Sequence, residues 1–365
     1  MSTLIRRGLG AATAAAALAA PFVLAGGVAQ AAEPYQVLLG GLNNPRGVAV
    51  AANGSVYVAE AGTGGSDLTI PGPEGTLHVG LTGQIRSVNP ATGSSHVVLD
   101  GLVSAAEEED GSFASGVAGL SAQGSTVYAI MDAAAVFVGD AQGPTADVAR
   151  AQLGRLLTVT PSGQSKTVAD VGTFDFDWTG TQDTGIVDGD PDAQDANPYG
   201  VLATPGTVLV ADAGANTITA VKSNGGLSIA GVVPKNPAGF LADAVPTCVA
   251  DAGNGHYWIG TLDNQVVPFD GSAVGTPLTL SGDPLFSIGG CVGDGHGGLY
   301  ASDQASFFFG QPGSVVHISP TGEVTTVVGG LFAPGDVALS KDGASLYVTT
   351  NSVLPGAGQL IKVDL

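Results

Sequence analysis

Apolar and polar residues alternate with the two-residue period of β-strands from Gln36 to the end of the chain, and short glycine turns break the alternation. One phrase recurs. It appears as NNPRGVAVAANGSVYVAEAG (43–62), SGVAGLSAQGSTVYAIMD (115–132), NPYGVLATPGTVLVADAG (197–214), VPTCVADAGNGHYWIGT (245–261), SIGGCVGDGHGGLYASD (287–303) and APGDVALSKDGASLYVTT (333–350). Each copy reads as a strand a, a tight turn and a strand b. Each copy is followed by a second pair, c and d, as in GQIRSVNPATGSSHVVL (83–99) and SVVHISPTGEVTTVV (314–328). Four strands per unit of roughly 40–60 residues, six times over, predict an all-β, six-bladed β-propeller of the TolB/NHL-like kind.

The last unit runs out after GQLIKVDL (358–365), whereas YQVLLGGL (35–42) precedes the first unit and resembles the ends of the others. The N-terminal strand is therefore expected to complete the sixth blade and close the ring, which removes two exposed sheet edges. Insertions are unevenly placed. The a–b and c–d turns are short, whereas the long segments 62–82, 103–114, 133–153, 172–196, 233–244 and 304–312 fall between b and c or between d and the next a. Because strand direction alternates, both kinds of connection emerge on one face of the disc. Binding residues are expected on that loop-rich face.

Composition adds a compartment and excludes some partners. Arg6 and Arg7 precede an Ala/Leu-rich stretch that ends at Ala29-Gln30-Ala31, the form of an export signal cut after about Ala31. The expected organisation is a signal peptide over 1–31 and one propeller domain over 32–365, secreted or periplasmic and monomeric. Losing two arginines takes the net charge from −21 to −23 and leaves nine Lys and Arg. Such a surface disfavours nucleic acid, and no later segment is apolar enough for membrane insertion. With 57 glycines and only 12% charged residues, the chain is neither helical nor disordered in character. Cys248 and Cys291 occupy nearly the same place in strand a of adjacent units, so an exported chain could bridge them, with two buried thiols as the alternative.

The candidate chemistry is sparse. Strand b ends in Glu60, Asp132, Asp212, Thr261, Asp303 and Thr350, and carboxylates among these would face the axis, where oxygen ligands can hold calcium. Alternatively, each bonds backbone amides of its own turn. Metal-dependent lactonase propellers of the gluconolactonase family are similar in architecture and carry Asn, Asp or Glu at the strand-a starts. Here the P-x-G register puts Arg46, Ser115, Tyr199, Thr247, Gly289 and Gly335 there, and none is Asn or a carboxylate. Arg46 would pair with Glu60 or another ring carboxylate, or clamp an anionic ligand group. Tyr199 stands at the same ring, and Phe174, Phe176 and Trp178 either pin their loop to the disc or offer a stacking surface. Nucleophile elbows, zincin motifs and P-loops are absent, and the histidines are scattered.

The acidic stretch DGDPDAQDANPYG (188–200) has the density of a calcium loop but not its pattern. Counted from Asp188, Ala193 stands where an EF-hand needs glycine and Tyr199 where it needs glutamate. Its NPYG repeats the strand entry of NNPRG. Asp188, Asp190, Asp192 and Asp195 therefore form the end of a long loop with, at most, an irregular calcium site.

The segments NNPRGVAV, AEAGTGGSDLTIPGPEGTLHVGLTGQIRSV (59–88), LGRLLTV (153–159) and DANPYGVLA (195–203) resemble the ScyD/ScyE family of exported propeller proteins over nearly all of the mature chain. The chain departs from that family in its acidic loop, in the turn LDNQVV (262–267) and in its cysteine pair. The resemblance implies export and a propeller and carries over no catalytic residue. The expected function is binding of a small molecule or surface macromolecule by the loop-rich face. A metal-assisted lactonase or lyase and a structural envelope protein are the alternatives.

Overall fold

The computed structural model describes residues 34–71, 75–182 and 194–365. The expected leader and Asp188, Asp190 and Asp192 lie outside the described residues. The described chain forms six sheets, antiparallel apart from one added strand, arranged as the blades of a propeller. Strands a of blades 1 to 6 are Pro45–Val50, Val117–Gln123, Pro198–Thr204, Pro246–Gly253, Ile288–Gly293 and Val337–Leu339. Blade 6 takes its fourth strand from the other end of the chain: Gln36–Leu42 pairs antiparallel with Gly358–Asp364. The closure expected from the incomplete sixth repeat is the one observed.

Burial is organised between blades. Six hydrophobic clusters occupy the six gaps, each drawn mainly from two neighbouring sheets. Tyr57, Leu120 and Met131 fill the gap between blades 1 and 2, and Val210, Val201 and Ile130 the gap between blades 2 and 3. A single sheet has no second layer to bury against, so the ring is the smallest unit that covers every face.

At the axis the inner strands approach backbone to backbone. A Cβ on Gly47 would sit 2.5 Å from the Ala118 carbonyl oxygen, and one on Gly119 would sit 2.5 Å from that of Tyr199. A Cβ on Gly200 would likewise run into Thr247 and Cys248. The recurring glycine of strand a is thus a packing requirement. In blade 4 the same place belongs to Cys248, whose sulfur is bonded to Cys291 of blade 5. In blade 6 it belongs to Asp336, whose Oδ2 accepts a 3.1 Å hydrogen bond from the Val48 amide of blade 1. Every seam is therefore closed by a glycine, a disulfide or a carboxylate.

Two segments expected to be loops, 62–82 and 103–114, contain strand. Strands c and d of blade 1, Thr76–Val88 and Ser95–Glu107, run on past the disc, with Leu68–Pro71 pairing beside them. Register shifts at Gly80 and Gly83 bend this wall as it rises from the loop-rich face. The helix Pro144–Gln152 braces it through Gln152 Oε1, which accepts from the Val103 amide at 2.6 Å. Segment 172–196 likewise opens with a helix, Val171–Thr179, capped by Asp170. Blade 4 has only three laddered strands. The segment that follows crosses to blade 5, where Ser281–Gly282 adds a fifth strand in parallel.

Replacing both Gln36 and Leu38 by proline should remove ladder hydrogen bonds from the closing strand and lower the thermal midpoint by about 10 °C or more. A midpoint within a degree of the parent would show that the strand does not hold the ring shut. Reducing the Cys248–Cys291 bond, which closes a separation of 43 residues, should cost on the order of 4 kcal/mol of unfolding free energy in the chain-entropy estimate. Denaturant titration with and without reductant measures that cost.

Candidate functional site

The six inner strands surround a central channel of about 380 Å³, with Arg46, Tyr199, Thr247 and Gly289 at the loop-side ends of four of them. The expected strand-start ring is therefore present, with one correction. In blade 2, Val117 pairs with Met131 as Pro45 pairs with Glu60 in blade 1, so Ala118 and not Ser115 stands at the ring. The b-strand end equivalent to Glu60 is consequently Met131, and Asp132 lies one step beyond it. Blade 2 enters its inner strand without the proline that marks blades 1, 3, 4 and 6, so its register was ambiguous in the repeat pattern.

The carboxylates at the b-strand ends are buried, and backbone amides occupy most of them. Asp212 Oδ1 accepts from the amides of Asn197 (2.7 Å), Gly214 (3.0 Å) and Ala215 (2.8 Å). Asp303 Oδ1 accepts from Phe286 (3.2 Å) and Ser287 (3.0 Å). Glu60 accepts from the Asn43 amide at 2.9 Å and from Gln84 at 2.6 Å, and it pairs with Arg86 at 3.1 Å. In each case an acid at the end of strand b holds the chain that leads into strand a. Among the described residues no group of three or more His, Cys, Asp or Glu side chains is placed to hold a metal ion.

Of the partners expected for Arg46, Glu60 is not the one it meets. Glu60 is taken by Arg86, and Arg46 instead donates to the Ala114 carbonyl at 2.7 Å and faces Asp132 electrostatically. Burial pushes the Asp132 carboxyl up to about 7, with the Arg46 charge acting against the rise. Burial alone raises Asp336 to about 7 and Asp303 to about 6. Tyr199 is half-buried in the channel wall. Trp178 does not reach the channel lining. It lies half-buried on the helix Val171–Thr179 with Phe174 and Phe176, and Phe176 packs edge-on against Phe137 at 5.8 Å. These aromatics pin the helix to the disc. Asp195 is buried at the entry to blade 3 and bonds its neighbour's amide.

Sequence reasoning missed two features of this face. The first is a set of phenylalanines. Phe113, Phe240, Phe309 and Phe332 are 41%, 44%, 40% and 46% exposed, and all four lie in b–c or d–a connections. Phe240 stacks with Phe309 at 5.0 Å and Phe308 at 5.5 Å, and Phe309 with Phe286 at 5.4 Å. This patch adjoins the channel mouth, because Gln304, just before the helix Ala305–Phe308, packs over Gly289. Single phenylalanines scattered through separate loops of the sequence gave no hint that they converge.

The second is a distribution of unpaired polar atoms. Every buried side-chain oxygen without a hydrogen-bond partner among the described residues belongs to the loop-rich face: Asn44, Asp132, Ser352, three in blade 4 (263–265), and Asp175, Asp212 and Thr217 around blade 3. In the sequence Asp175 stands between two aromatics, Phe174 and Phe176. Its burial is legible only once the segment is read as a helix, where Val171, Asp175 and Thr179 share one face at four-residue spacing.

No family model matches the sequence, and no curated protein does either. Solved structures do match. A gluconolactonase from Xanthomonas campestris superposes with a TM-score of 0.55 at 8% identity, covering 90% of this chain and 89% of that one. A protein of unknown function from Bacteroides thetaiotaomicron gives 0.54 at 9% identity, over 88% of this chain and 70% of that one. At such identities the likeness establishes the six-bladed propeller fold and nothing about its chemistry.

The raised carboxyls set the sign of the pH dependence. Asp132, Asp336 and Asp303 hold protons more tightly in the folded chain than in the unfolded one, so their contribution favours folding at low pH. That contribution declines as pH rises from about 4 through about 7. The thermal midpoint should therefore be higher at pH 5.5 than at pH 8, and Asp132→Asn should raise the midpoint at pH 8 and narrow the difference. A midpoint that is flat or falls on acidification would contradict this account.

Proposed function

We propose that the protein is an exported binding protein that takes a planar, largely apolar ligand on its loop-rich face, over the mouth of the central channel. The observation that carries this reading is the concentration of exposed phenylalanine on that face, with the Phe240–Phe286–Phe308–Phe309 group beside the mouth. Soluble proteins rarely leave several large aromatics exposed together unless something covers them. The Arg46 guanidinium in the channel lining is suited to an anionic group on the same ligand. The leader-like stretch from Arg6 to Ala31 supports export. The four segments that resemble the ScyD/ScyE family support grouping the chain with exported propellers of that kind.

A second reading, a hydrolase or lyase, draws on Asp132. A buried carboxyl with a pKa of about 7 beside Arg46 has the protonation behaviour of a general acid or base at neutral pH. The binding reading is preferred because Glu60, Asp212 and Asp303 are already engaged by backbone amides, which leaves Asp132 as a single candidate.

Anilinonaphthalene sulfonate, an aromatic sulfonate, is a suitable probe. The folded protein should enhance its fluorescence, and Phe240→Ser with Phe309→Ser should weaken its affinity roughly tenfold. Arg46→Gln should weaken it further. If the double variant keeps the parent's thermal midpoint and also its affinity, the phenylalanine face is not the binding surface.

A further inference from the structure

The carboxyl of Asp175 is fully buried beneath its helix, and its Oδ1 accepts a 2.6 Å hydrogen bond from Thr219 of strand c in blade 3. Thr217 lies two residues earlier on that strand, hence on the same side, and is paired directly across from Asp212. Asp175, Thr217 and Asp212 therefore converge on one point between the helix and the sheet. The Asp175 and Asp212 carboxyls lie within hydrogen-bonding reach of each other. All three residues are 0% exposed. Thr217 Oγ1 has no hydrogen-bond partner among the described residues, and Asp175 Oδ2 and Asp212 Oδ2 have none besides each other.

We infer that Asp175, Asp212 and Thr217 form a buried calcium site that clamps the helix Val171–Thr179 onto blade 3. Asp212 already accepts three backbone amides through Oδ1, the surroundings of an ionised carboxylate. A second buried carboxylate against it is strongly unfavourable without a positive charge between them. A proton can join two oxygens, but the three that converge here form a ligand set for a hard cation. Calcium suits the site better than magnesium, because it accepts irregular coordination at longer distances and sheds its water more readily, and these three oxygens would supply part of the six to eight it takes. The site differs from an axial ring of b-strand acids: it shares Asp212 with that ring but lies under one loop helix, and its second acid comes from that helix.

The test uses the whole mature protein, stripped with chelator and dialysed at pH 8. Adding about 1 mM calcium should raise the thermal midpoint by about 5 °C or more. Metal analysis of protein repurified from calcium buffer should find about one calcium per chain at this site. Asp175→Asn should abolish the rise. Thr217→Val, which preserves shape, should leave the stripped protein unchanged and weaken calcium affinity about tenfold, which keeps the test decisive if Asp175→Asn folds poorly. Three results would each overturn the inference. One is a stripped protein that does not respond to calcium and retains no metal. Another is a calcium response that survives both substitutions, which would place the ion elsewhere. The third is a midpoint that responds to pH alone, which would put a proton between the two carboxyls.

Discussion

The contact on which the rest of the structure depends is the approach of one inner strand to the next, close enough that a methyl group does not fit between Gly47 and Ala118 or between Gly119 and Tyr199. That approach sets the width of the channel and brings neighbouring sheets near enough to share a core. It also explains why the ring tolerates so few substitutes at the seam position. Where glycine is absent, the replacement is bonded across the gap: Cys248 to Cys291, and Asp336 to the Val48 amide. Asp336 fits because Gly290 on its other side has no side chain. The disulfide and the buried carboxylate are thus two solutions to the problem that glycine solves elsewhere.

A second regularity follows from strand direction. Each strand b ends where the chain must enter the adjoining strand a, and the amides of that entry need an acceptor. Glu60, Asp212 and Asp303 provide it in three blades. An acid that recurs at the same place in a propeller can therefore be structural in every copy. This use consumes oxygens that an axial metal ring would need. It also leaves Asp212 with one free oxygen turned away from the amides, toward Asp175.

The two faces of the disc differ accordingly. The a–b and c–d turns are short and polar, whereas the opposite face carries the raised wall of blade 1, the helices, the exposed phenylalanines and every unpaired buried oxygen of the described residues. Polar groups left unsatisfied and apolar groups left uncovered both cost stability. Their concentration on one face is the observation on which the proposed binding role rests.

The sequence by itself determined the number of blades, the strand that closes the ring and the face that bears the loops, because all three follow from repeat period and strand alternation, which are local properties. It also placed Arg46 and Tyr199 at the axis, since the proline of the strand entry marks the inner strand wherever it is present. Blade 2 lacks that proline, and there the register slipped by three residues, from Ala118 to Ser115. What only the tertiary structure decided is how distant segments meet. Arg46 bonds the Ala114 carbonyl and acts on Asp132 through its charge, whereas Glu60 is held by Arg86. Phe240, Phe286 and Phe309 come from three separate connections, and Asp175 meets Asp212 across a helix that lacks strong helical periodicity. Contacts between residues far apart in the chain depend on the position of whole blades, and no local pattern of apolar and polar residues encodes that position.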